Sequence, residues 1–235
     1  MSGPVRAAHV PRRLTPAGCA ALLLALAGCG PSSEPVTWPA DEDLGLPAVE
    51  WPFGAPDVSD EWVAAVYDAE IALAAAQNAH DFSGPAVSRR VEPENAADWA
   101  RSAGMRATDP VSGAARFAYF PGPRSRVVTG VEVQGDRAAV TTCAAAESWT
   151  GWEGPGATRT QLRAADRGTV MVYDMRRDPD GEIRWYGYGE ARAAVCEITD
   201  LRLGYFAPEP PYGQPVARSD VLGPDGEPAV DPRFW

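Results

Sequence analysis

The 235-residue chain contains no lysine; all 21 of its basic residues are arginine, set against 32 acids. Alanine, glycine, proline and arginine are abundant, the composition of a GC-rich genome, so the arginine count carries no function by itself. A net charge of −11 repels phosphate backbones and argues against nucleic-acid binding. Histidine is scarce, with two residues, and the four cysteines form no Cys-x-x-Cys pair, so no metal site and no cofactor are expected. No phosphate-binding loop, dinucleotide fingerprint or Ser/His/Asp constellation is present. No run reaches the ~20 apolar residues a membrane-spanning helix needs. The apolar stretch near the N-terminus, Ala17 to Ala27, is 11 residues long.

That stretch comes after Arg6, Arg12 and Arg13 and ends in Leu26-Ala27-Gly28-Cys29. A basic start, a short apolar run and a small-residue cleavage site make a secretory signal rather than a fold element. The Leu-Ala-Gly-Cys ending resembles the lipobox of bacterial lipoproteins. The resemblance implies removal of residues 1–28 and acylation of Cys29, leaving an extracytoplasmic protein held to the cell membrane by lipid. Leu14-Thr15-Pro16, directly after Arg12-Arg13, does not resemble a twin-arginine signal. Cleavage would remove three arginines and no acid, so 32 acids would face 18 bases, a net charge near −14. Cys19 would leave with the signal. Cys143 and Cys196 then remain, an even pair in an oxidising compartment, and are expected to form a disulfide; the alternative is two buried thiols.

Residues 29–56 hold six prolines and several acids and read as a tether, although Trp38 and Trp51 are unusual in one. Fully extended, it would reach roughly 80 Å. One folded domain is expected over 57–206, with a Pro-rich, loosely draped tail over 207–235. Within the domain, Ser59 or Asp60 can cap a helix reaching about Ala79, with Trp62, Val66, Ala69 and Leu73 at helical spacing. A second helix is expected over Glu92–Ala103, with Gly104 as its stop. Strands then dominate. Val127, Thr129, Val131 and Val133 alternate onto one face of Arg126–Gln134, and Gln134-Gly135-Asp136 turns into a return strand, Ala138–Ser148. Thr169–Arg177 and Ile183–Arg192 flank the turn Asp178-Pro179-Asp180-Gly181, which lacks the spaced ligands of a calcium loop.

These residues alone support an α+β domain with an antiparallel sheet. The stretch Val131-Glu132-Val133-Gln134-Gly135-Asp136-Arg137-Ala138-Ala139-Val140, with Cys143 shortly after it, resembles secreted actinobacterial proteins of the nuclear transport factor 2-like (SnoaL-like) fold. The hairpin around Asp180-Gly181 with Trp185 shares the resemblance, which covers about residues 60–198. It implies an N-terminal helix packed against a curved, cone-like antiparallel sheet with a pocket inside.

The same family includes isomerases, dehydratases and cyclases that pair an Asp or His base with Tyr or Asp donors. His80, at the end of the first helix, is usually structural in such a place because the helix dipole favours it. Asp174 is a carboxylate in an apolar strand. Facing a pocket it could act as a base; more often such a residue pairs with an arginine across the sheet. Alternation over Arg184–Glu190 puts Tyr186, Tyr188 and Glu190 on one face and Trp185, Gly187 and Gly189 on the other, with the glycines marking bends. No catalytic residue stands out. The expected function is a tethered binding or accessory domain for an envelope partner protein or a small apolar ligand. One alternative is an isomerase or dehydratase using Asp174 or His80 with Tyr186 or Tyr188; the other is a purely structural envelope subunit.

Overall fold

The first long helix starts at a side-chain cap. Asp60, in an extended conformation, accepts hydrogen bonds from the backbone N–H groups of Trp62 and Val63 at 2.8 and 3.2 Å. This satisfies two of the donors that a helix start leaves unpaired. The computed structural model describes residues 36–38, 43–52, 54–107, 120–145, 167–189, 194–198, 201–210 and 216–231, all within the unit Ser33–Trp235. The lipobox and Cys29 lie outside the described residues.

Strands β1 (Val36–Trp38) and β2 (Ala48–Trp51) precede helix α1 (Glu61–Ala79). Helices α2 (Pro85–Arg90) and α3 (Pro93–Ala107) come next. Then come β3 (Arg126–Gln134), β4 (Arg137–Ala145), β5 (Arg167–Arg177), β6 (Ile183–Tyr188), β7 (Val195–Glu197) and β8 (Tyr205–Ala207). The fold is α+β with a strongly curled antiparallel sheet, β3-β4-β5-β6, and β7 paired on β5. A smaller antiparallel sheet runs β1-β2-β8.

Helix α1 is buried on nearly every side, as an apolar helix without a polar stripe must be. It packs with the sheet's inner face, where Val140, Tyr173 and Met175 are fully enclosed and Trp185 nearly so. The outer face of β5 and β6 carries charge. Asp174 pairs with Arg176 at 2.6 Å, and Arg176 lies over the Tyr186 ring at 4.3 Å. Asp178 and Asp180 both engage Arg184, which makes their segment a braced turn between strands.

Four sequence expectations change. The ordered domain extends beyond 57–206: Leu44, Leu46, Val49 and Trp51 are buried within the expected tether, and Val221 within the expected tail. Prolines in both segments obscured short apolar patterns that pack back on the core. In the tail, Leu222 accepts from Phe82 N–H and donates to His80 C=O. Helix α3 does not stop at Gly104. A Cβ there would stand 2.7 Å from a Val230 methyl, so the glycine makes room for the C-terminal segment. The face shared by Val127, Thr129, Val131 and Val133 is broken by a register shift between Val128 and Gly130. Val128 before the bulge and Val131 after it both pack on the core, while Val133 is exposed. The fourth change, in β6, determines the site.

Candidate functional site

The inner end of the sheet is organised by a buried carboxylate. Glu70 sits on α1 between Ala69 and Ile71 and is 2% exposed. Arg126, the first residue of β3, meets it there: Nε donates to Glu70 Oε1 at 3.1 Å and a terminal nitrogen lies 3.0 Å from the same oxygen. Tyr173 Oη donates to that oxygen as well. The other carboxylate oxygen faces Arg124 Nε at 3.5 Å. Tyr67 Oη, one helical turn before Glu70, donates to Arg126 C=O at 2.8 Å. Burial disfavours the Arg126 charge, yet Glu70 holds its pKa above the ordinary range. Burial also raises the Tyr173 phenol well above its usual pKa, with Glu70 adding to the shift, so it stays a donor.

Arg124 and Arg126 are held by a braced arm. Asn78 on α1 exchanges two hydrogen bonds with the backbone of Phe120, at 2.7 and 2.8 Å. Phe206 N–H donates to Pro121 C=O at 2.8 Å. At Gly122 a Cβ would fall 1.9 Å from Gly204 C=O, so only glycine permits this crossing. The arm delivers Arg124 beneath α3, where its guanidinium stacks on Trp99 at 4.0 Å.

Tyr188 reaches the same place through a bulge. Tyr173 pairs with Tyr188 and Met175 with Trp185, so Asp174 alone opposes both Tyr186 and Gly187. Gly187, at φ 129°, takes up the extra residue. Trp185 and Tyr188 therefore share the inner face, with ring centroids 4.8 Å apart, and Tyr186 faces outward to hydrogen-bond Asp178. The expected common face of Tyr186 and Tyr188 is corrected by this bulge. Tyr188 Oη accepts from Arg124 at 3.0 Å and from Arg126 at 3.3 Å. A side chain at Gly187 would be strained, and Gly187→Ala is expected to cost about 1–3 kcal/mol in denaturant unfolding. An unchanged midpoint would mean that the bulge tolerates a Cβ.

The candidate residues thus separate. Asp174 and Tyr186 lie on the outer face, within the charged ladder. His80 is the left-handed C-cap of α1, at φ 56°, with burial lowering its pKa. Tyr188 alone of the four lines the inner cleft. Sequence reading missed Glu70, Trp99, Arg124 and Arg126. The available signal was one acid in the otherwise apolar run Ala69–Ala76. Cys143 and Cys196 form a disulfide, joining β4 to β7 across β5.

Two adjoining cavities open here, of about 240 and 350 Å³. Both are lined by Trp99, Arg124 and Tyr188; the first adds Arg106, Phe120 and Trp185, the second Arg126, Ala144 and Met171. Each is near the lower end of the size range of small-molecule pockets, and the lining is mostly apolar with a few placed polar groups. Among the described residues, no group of His, Cys, Asp and Glu is placed to hold a metal ion, and no helix is long and apolar enough to cross a membrane. Compared with family models, curated proteins and solved structures, the chain matches none.

Proposed function

We propose that this protein is a lipid-anchored extracytoplasmic binding domain of nuclear transport factor 2-like type, with a small molecule as its ligand. The observation that carries the binding reading is the cleft beneath α3, where Trp99, Trp185, Phe120 and Tyr188 surround Arg124. Its polar groups are pre-positioned by the Glu70 network, which keeps the ordering cost of binding low. The anchor reading rests on Leu26-Ala27-Gly28-Cys29. Acylation by two or three chains would make that anchor stable.

An isomerase or dehydratase would need a free carboxylate and a tyrosine facing one cavity. Asp174 and Tyr186 face the other way, and His80 caps a helix remote from these partners in sequence and in role. Of the acids near Tyr188, Glu70 is engaged by Arg126 and Tyr173, and Asp98, which lines the first cavity, is paired with Arg101. A binding role fits this arrangement better.

The test uses the chain expressed in a bacterial host with an alkyne-tagged palmitate. The wild type is expected to carry label and sediment with membranes, and Cys29→Ser to lose both. Extracts of the purified protein are expected to contain a small molecule that Trp99→Ala does not retain. An unlabelled wild type would reject the anchor. A wild-type extract identical to that of the Trp99→Ala variant would reject the ligand site.

A further inference from the structure

We infer that the cleft beneath α3 takes a small planar anion: a carboxylate carried on an aromatic ring. The inference rests on the binding reading above and specifies its ligand.

Charge is the first argument. Arg106, Arg124 and Arg126 line the two cavities, and the carboxylate beneath them is Glu70. Asp98 also lines the first cavity, but it is exposed and paired with Arg101 at 2.5 Å. Among the described residues, three guanidinium groups line these cavities against two acids, Glu70 and Asp98, which leaves the lining positive in a chain whose net charge is −11. Such a surplus is unfavourable unless an anion completes it.

Hydrogen bonding is the second argument. Arg126 is 5% exposed, and its Nη1 has no hydrogen-bond partner among the described residues. A buried guanidinium donor left unpaired is costly, and Arg126 lines the second cavity. Tyr188 Oη accepts from both Arg124 and Arg126, which holds the two guanidinium groups side by side at the cleft. Arg106, which lines the first cavity, is tied along its own helix by its bonds to Ser102, at 3.1 and 2.9 Å. Burial and the Arg124 charge together lower the Arg106 pKa, a repulsion that a bound anion would relieve.

Shape is the third argument. Arg124 already stacks on Trp99, and Trp185 and Tyr188 meet edge to face, so the walls are aromatic. A flat ring resting against this aromatic lining would direct its carboxylate to the arginines. An inorganic anion would leave the aromatic surface wet.

The experiment titrates the full chain by calorimetry with 2-naphthoate, its neutral amide 2-naphthamide, and inorganic phosphate. Naphthoate is expected to bind about tenfold or more tighter than the amide, the scale of one charge-assisted hydrogen bond. Arg106→Gln is expected to weaken naphthoate severalfold and the uncharged amide by less; Arg106 is exposed and outside the Glu70 network, so this variant keeps the fold. Equal binding of naphthoate and amide would overturn the anion inference and leave the binding reading standing. Phosphate binding as tight as naphthoate would overturn the aromatic part. Binding by none of the three would overturn both the inference and the reading beneath it.

Discussion

Glu70→Gln is expected to lower stability by about 3–5 kcal/mol, the usual cost of removing one partner from a buried ion pair. In a domain of this size that corresponds to a melting temperature lower by roughly 10 °C or more. The cost arises from the charge left behind. Arg126 remains 5% exposed, with no other countercharge at bonding distance among the described residues. Glutamine can still accept from Tyr173, so the loss reports the charge rather than the side-chain volume. Arg124 would also lose the acid at 3.5 Å, and it could not replace the missing negative charge. A double variant, Glu70→Leu with Arg126→Met, is expected to be more stable than either single change, because it removes both desolvated charges together. If Glu70→Gln costs less than about 1 kcal/mol, water reaches the pair and the network does not hold the sheet to α1. The measurement is denaturant unfolding of the wild type and these variants in one buffer, with near-ultraviolet dichroism reporting the Trp185–Tyr188 packing.

Local chemistry made much of the fold legible. The Asp60 cap, the apolar spacing after it, the Gly135 turn and the Asp178–Gly181 turn each depend on a few adjacent residues, and each forms within a residue or two of its expected place. The features that escaped depend on contacts made from a distance. Alternation along Ile183–Tyr188 assumes one residue opposite one residue, and the bulge at Gly187 breaks that count. Its consequence is large: Tyr188 comes to the inner face and Tyr186 leaves it. A single acid in a helix usually belongs to a solvated face, so Glu70 does not stand out in the sequence. Arg126, 56 residues later, with Arg124 and Tyr173, makes its burial tolerable, and a sequence pattern carries no sign of that pairing. Proline content likewise made residues 43–51 look like tether, although Val49 and Trp51 alternate with Ala48 and Glu50 as a strand does. The candidate site was harder to read than the fold for the same reason. Its arginines stand in a Pro-Gly-Pro-Arg-Ser-Arg stretch without periodicity, and their meaning comes from Trp99 and Glu70 on two different helices.

Replacing Cys143 and Cys196 together by alanine is expected to cost about 4 kcal/mol, the loop-closure value for a separation of 53 residues in the chain-entropy model. The location of the bond makes a second, local effect separable from the first. β7 is three residues long, pairs with β5 through Arg167–Glu197, Gly168–Cys196 and Thr169–Val195, and leaves Val195 72% exposed. It buries too little apolar surface to hold its place by packing, so the covalent link to β4 supplies what packing lacks. The amides of β7 are therefore expected to lose their exchange protection in the variant, while those of β4 and the paired part of β5 keep theirs. Reduction of the wild type should reproduce both effects without a change of sequence. If the unfolding midpoint falls and β7 stays protected, the bond acts on the unfolded chain alone. If β7 opens and the midpoint holds, strand docking is its main contribution. An unchanged midpoint with unchanged exchange would mean that the two thiols are not linked in the folded protein, and mass mapping without reductant would then find both alkylated.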